Sequence, residues 1–263
     1  MTNGFPALLA AATPLTDGLA ADLSRSWAQG RTTYGGASAA LALAAAQQVG
    51  GAGLPPLRSA TVSFVGPLAG PVEARARVLR QGRNATWIHA EIVGEGSVGL
   101  TASFVFMGEG GSGLELTGCA APADRVPFDT ARPIPDTGHA PSFVADNFAV
   151  CFARPPAPKP EPELSRWVRL NARAGLDPMV EVMLVADALP PGVLPLMQPG
   201  ARVSSMTWQV NLLTSHPVTH DGWWLLRAEG DFAQHGCSSQ RMGLWNADGL
   251  PIATGMQSIA IFD

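Results

Sequence analysis

Between residues 34 and 50 the chain reads YGGASAALALAAAQQVG, a run in which nearly every side chain is small or apolar and alanine and leucine give high helix propensity. The pattern predicts a helix buried on most sides. Gly50, Gly51 and Gly53 suit its C-terminal cap and exit, and Pro55 and Pro56 block continuation. The pattern then turns β-like, with segments predicted at 60–68, 72–80, 85–93 and 98–107. In the second of these Val72, Ala74, Ala76, Val78 and Arg80 share one face while Glu73, Arg75, Arg77 and Leu79 share the other, so one face is wet. Gly70-Pro71, Gln81-Gly82 and Gly94-Glu95-Gly96-Ser97 break the segments with turn residues. One helix followed by an antiparallel meander is the expected unit.

The same order returns after residue 177. Asp177 is an N-cap candidate with Pro178 at the first helical position, and an apolar run continues to Leu189 before Pro190 and Pro191. Segments at 203–213, 222–229, 238–246 and 250–262 follow, the last two joined by the hairpin signal Asn246-Ala247-Asp248-Gly249. Laying SVGLTA onto GLPIAT offsets the two tail hairpins by about 150 residues, which makes the chain a helix-plus-four-strand unit used twice. Residues 108–142 have a Gly-rich start, GEGGSG, scattered prolines and little periodicity, and read as a connection. The expected division is residues 1–108, a linker at 109–142, and residues 143–263. The Pro-rich RPPAPKPEPE at 154–163 reads as a long loop inside the second half, because the β-like WVRLNAR follows it.

Composition narrows what such a chain does. With 263 residues it has room for two domains and a sizeable core, and its 14% charged residues fall below the usual roughly 25%. Net charge −4 gives no electrostatic footprint for nucleic acid or an anionic membrane, so the expected partner is a small molecule. No apolar run reaches the roughly 18 residues of a spanning helix, and the start lacks a basic signal-peptide region, so a cytoplasmic location is expected. Low charge and large buried faces favour association into a homo-oligomer. Cys119, Cys151 and Cys237 are an odd number at wide spacings, which fits neither a disulfide framework nor a four-ligand zinc site.

A strongly curved sheet wrapped round one apolar helix, paired edge to edge with its duplicate, is the double-hotdog arrangement of the α+β class. Several stretches resemble the double-hotdog acyl-coenzyme A thioesterases of the medium-chain thioesterase II type. TYGGASAAL at 33–41 and SATVSFVGPLAGPVEARARVLRQGR at 59–83 carry the resemblance in the first half. VADAL at 185–189, QPGARVSSMTWQV at 198–210 and ADGLPIATGMQ at 247–257 carry it in the second. The resemblance implies hydrolysis of an acyl-CoA thioester without metal or organic cofactor. It implies that Asp187, Thr207 and Gln257 hold the attacking water, with Asp187 as base, and that Gly35 and Gly36 let the thioester carbonyl approach the backbone amides at the helix start. The chain departs from the family where an Asp-His pair is expected, since Gln209 and Val210 stand there, and Ser258 replaces the acidic residue after Gln257. A strand bearing aromatic and histidine residues is expected near 59–64, where this chain reads SATVSF.

Each residue also has a plain reading. Asp187 could be a polar stop to an apolar helix, Thr207 an ordinary strand threonine, Gln257 a partner for backbone, and Gly35-Gly36 a simple helix start. His216 and His220 have metal-pair spacing, but Pro217 and Asp221-Gly222 make that passage a loop. His89 and Glu91 lack the accompanying P-C-x-x-C of a deaminase, GEGGSG lacks the Lys-Ser/Thr of a phosphate loop, and G-x-S-x-G is absent. Two other classes stay open: a hotdog hydratase or dehydratase acting on an enoyl thioester, and a non-catalytic acyl-CoA-binding protein.

Overall fold

The computed structural model describes residues 4–135, 138 and 140–262. Its first half runs α1 (Phe5–Ala11), β1 (Thr13–Leu15), β2 (Gly18–Leu23), a small β3 (Ala28–Gln29) and β4 (Thr32–Thr33) pair, α2 (Gly35–Gly50), β5 (Leu57–Phe64), β6 (Gly70–Gln81), β7 (Ala85–Gly94) and β8 (Ser97–Met107). The second half runs α3 (Ser142–Asn147), β9 (Phe148–Phe152), β10 (Glu163–Leu170), α4 (Pro178–Ala186), β11 (Arg202–Leu212), β12 (Trp224–Gln234), β13 (Cys237–Asn246) and β14 (Pro251–Phe262). Among the described residues no helix is long and apolar enough to cross a membrane.

Twelve strands form one antiparallel sheet in the order β1-β2-β6-β7-β8-β5-β11-β14-β13-β12-β10-β9. Read outward from the β5/β11 seam, both halves have the same order, so the duplication inferred from sequence is a structural one. The repeat is larger than a helix and four strands. Each half also places the strand preceding its helix, β2 or β10, beyond the meander, and a further strand, β1 or β9, at the edge. The β1 and β2 stretches are too short to signal themselves, with β2 only six residues long. At the seam Ala60 lies opposite Val210 and Thr61 opposite Gln209. Joining two edges there satisfies backbone groups that each half alone would expose.

The two main helices lie antiparallel on one side of this sheet. At one end Gln47 of α2 donates to Asp177, the N-cap of α4 (3.1 Å). At the other end the Tyr34 hydroxyl, at the N-cap of α2, donates to the Leu184 carbonyl near the end of α4 (2.6 Å). Ala37, Ala39, Ala40, Ala42, Ala45 and Ala46 are buried, and their small side chains let α2 sit close to the strands and to α4. Helix α4 starts where the sequence predicts, with Asp177 accepting from the Met179 and Val180 amides, but ends at Ala186 rather than Leu189. Its buried Glu181 is satisfied by the Trp224 indole (2.9 Å) and Arg173 (3.0 Å).

Up to Ser142, where α3 begins, the passage expected to be a linker has no helix or extended strand among its described residues, yet it is not detached. The Val126 amide donates to Ala153, the Trp167 indole to Val126 and the Trp245 indole to Cys119. Asp124 pairs with Arg154 (3.0 Å). Trp167, Leu225, Trp245 and Cys151 face away from α4 and pack with Ala121, Phe128 and Ala131, so this passage straps the outer face of the second half. Residues 136, 137 and 139 of the expected linker lie outside the described residues, as do residues 1–3 and 263 at the ends of the expected domains.

Candidate active site

Two buried polar side chains meet where α4 ends against the start of α2. Asp187 is the C-cap of α4, and its Oδ1 accepts from Gln257 Nε2 of β14 at 2.9 Å. It also accepts a hydrogen bond from the backbone amide of Gly36. A helix C-terminus disfavours a carboxylate and a helix N-terminus favours one, so the charge set badly for α4 is set well for α2. Burial raises the Asp187 pKa to about 7, against the opposing pull of the Gln257 and Gly36 hydrogen bonds. A carboxyl group poised there switches between acid and base near neutral pH.

Gly35 and Gly36 are packing necessities here. A Cβ on Gly35 would lie 2.7 Å from Asp187 Oδ2 and 2.9 Å from the Phe64 ring, and one on Gly36 would lie 2.5 Å from the Tyr34 ring. Gly36 gives its amide to Asp187, while Gly35, the first residue of α2, carries one of the amides that helix geometry leaves without an intrahelical partner. Asp187 is 9% exposed and lies beside the half-buried Gly35 and Phe64. Tyr34, stacked on Phe143 at 4.1 Å, is neutral: burial, and then the Asp187 charge, raise its pKa well above the ordinary value.

Thr207 is not brought to this pair. On β11, Trp208 lies opposite Gln257 and is buried with it, while Thr207 lies opposite Ser258 and Ser63 and is exposed. Paired residues share a face and successive residues alternate, so Thr207 projects from the outer face of the sheet. The cause is a bulge. Ser205 lies opposite Ile259, which is buried, and plain alternation would carry Thr207 inward with Ser205; the extra residue Met206 shifts the register and turns it out. The expected trio is therefore a pair in this structure.

Sequence reasoning missed Gln240. On β13 it lies opposite Gln257, fully buried, and its Nε2 donates to Gln257 Oε1 at 2.9 Å while its Oε1 accepts from the Gly192 amide at 2.8 Å. A glutamine in step with the inward Leu244 of an otherwise amphipathic strand was the available signal.

A duplicated helix-and-sheet unit joined through one continuous sheet is the double-hotdog arrangement. The model of the acyl-CoA thioesterase N-terminal domain matches residues 23–107, and that of the C-terminal domain matches residues 122–261. The chain belongs to the acyl-CoA thioesterase family. Solved structures agree on the fold. A hot dog protein of unknown function from Alicyclobacillus acidocaldarius superposes with TM-score 0.83 at 20% identity, covering 96% of each chain. A putative thioesterase II from Thermobifida fusca YX gives 0.82 at 22% identity, covering 100% of this chain and 98% of that one. A putative thioesterase from Novosphingobium aromaticivorans DSM 12444 gives 0.77 at 24% identity, covering 95% and 98%. Among curated proteins, none matches by sequence.

Proposed function

We propose that the family activity, hydrolysis of acyl-CoA thioesters, is carried out in this chain by a water molecule that Asp187 deprotonates. One observation carries the reading: a carboxylate with its pKa raised to about 7 sits against the N-terminus of α2, held by Gln257 and Gly36. Water and substrate enter beside Gly35 and Phe64. As the water oxygen bonds to the thioester carbon, Asp187 takes its proton and the developing oxyanion faces the start of α2, with the Gly35 amide as a donor. The carbon–sulfur bond then breaks, coenzyme A leaves as a thiolate, and the proton held by Asp187 neutralises it. The products are a free acid and coenzyme A. No metal or organic cofactor enters this scheme, and Thr207 has no part in it.

The same reading divides the chain into a first hotdog at 1–108, a connection at 109–142 and a second hotdog at 143–263. Two separate family matches support two halves, although the second match begins at residue 122, inside the connection. Purified protein should release free thiol from acyl-CoA esters, and Asp187→Asn should abolish most of that release. Full turnover by Asp187→Asn removes the aspartate from the mechanism. Tight binding of the esters without thiol release points to a non-catalytic binding protein, and hydration of an enoyl ester to a hydratase.

A further inference from the structure

We propose that Gln240 is a positioning residue: through a one-way chain of hydrogen bonds it fixes which end of the Gln257 amide faces Asp187. The chain begins at a group that can only donate. The Gly192 backbone amide gives its hydrogen to Gln240 Oε1 (2.8 Å), which leaves Gln240 Nε2 to donate to Gln257 Oε1 (2.9 Å) and Gln257 Nε2 to donate to Asp187 Oδ1 (2.9 Å). Reversing either amide sets donor against donor or acceptor against acceptor in a buried place, since Gln240 is fully buried and Gln257 4% exposed. One fixed backbone hydrogen therefore sets the polarity of three side chains.

The anchor is itself held in place. Pro191, Gly192 and Val193 are buried in the loop leaving α4, and a Cβ on Gly192 would lie 2.7 Å from the Ala228 carbonyl and 2.8 Å from the Gly230 amide of β12. The loop thus lies against the sheet through a position that only glycine fits, and it connects the end of the aspartate-bearing helix to β13 through Gln240. Resting on Asp187 as the base, the inference assigns Gln240 a chemical effect: it keeps a donor on the carboxylate and so favours the ionised, proton-accepting form. A freed Gln257 could turn and accept from the neutral acid instead, which favours the form that cannot take a proton.

Other groups around Asp187 do not supply this control. From α2 comes the Tyr34 phenol, whose hydroxyl is committed to the Leu184 carbonyl, and from β5 the uncharged Phe64 ring. On α4 the ionisable group is Glu181, bound to Arg173 and Trp224, and residues 188–201 carry none. The α2 backbone contributes the Gly36 amide, which cannot turn.

The test is the titration of the Asp187 carboxyl carbon by NMR, assigned with Asp187→Asn, beside the pH profile of thiol release. Gln240→Met keeps the length without hydrogen bonds, and Gln240→Asn keeps the amide but falls short of both partners; two variants guard against one that does not fold. Both should move the carboxyl titration upward from about 7 by about one unit, with kcat at pH 7 about fivefold lower, recovery at higher pH, and KM within about twofold. A purely structural role would lower the melting temperature and the rate equally at every pH. Titrations of both folded variants that coincide with that of the wild type overturn the inference. Because the NMR titration needs no turnover, that failure is distinct from failure of the hydrolytic reading, which Asp187→Asn decides.

Discussion

The helices α2 and α4 meet at both of their ends, and the two junctions use the same materials differently. At each, a helix N-terminus faces an aspartate. Asp177 is exposed and caps its own helix, taking the Met179 and Val180 amides and the Gln47 side chain. Asp187 belongs to the other helix's C-terminus, is buried, and receives the Gly36 amide and Gln257. The first junction opens on a groove of about 490 Å³ lined by residues including Pro55, Pro56, Pro178, Met179 and Pro217. At the second, glycines bring backbone against the carboxylate and burial raises its pKa. On the proposed mechanism, the contrast is that a helix N-terminus with a carboxylate does not by itself make a reactive site. A local cap is spent on folding, whereas a carboxylate delivered from another element and withdrawn from water keeps its chemistry available.

Exchanging the charge at each junction should separate them most sharply. Asp187→Asn should lower the rate of thiol release by roughly 10²–10⁴-fold, the span of general-base catalysis, while Asp177→Asn, which still caps, should stay within about twofold. A comparable loss at both positions would erase the distinction. Gly35→Ala should come next, with a roughly 10–100-fold loss in kcat, because the added methyl displaces Asp187 or Phe64.

Stability should also differ, and its sign follows from linkage. The folded protein holds a proton on Asp187 up to about pH 7, while the unfolded chain releases it near the ordinary carboxyl value of 3.8, so stability falls as pH rises between those values. Against Asp187→Asn in chemical denaturation, the wild type should match near pH 3.5 and be weaker above pH 7, by a difference on the order of 4 kcal/mol at most. A constant difference across that window would mean that burial does not raise the Asp187 pKa. Asp177→Ala should instead lower stability by about 1 kcal/mol without moving the pH profile of turnover, as expected for a lost cap. Smallest of all, Thr207→Val on the outer face should leave kcat within about twofold; a larger loss would return Thr207 to the site.

How far the sequence could be read depended on how local each feature is. The Ala-rich α2, the Asp177-Pro178 start of α4 and the four-strand meanders were legible because propensity, caps and alternation are set by neighbours in the chain. Asp187 and Gln257 were singled out through resemblance, and the structure joins them. Thr207 failed on one residue, since the Met206 bulge that turns it outward lies in the pairing of β11 with β14 and leaves no mark in a strand read alone. Gln240 was passed over for the same reason, because a strand glutamine gains meaning only when its neighbour across the sheet is known.

By itself, then, the chain's order of apolar and polar residues determined two helix-and-meander units. Tertiary structure decided which of their polar groups meet. It set Asp187 against the other helix, fixed the direction of the Gln240–Gln257 hydrogen bonds, and laid the supposed linker across the second half's outer face. The physical reason is range: a hydrophobic period acts over a few residues, whereas register, burial and hydrogen-bond polarity are settled between segments many residues apart.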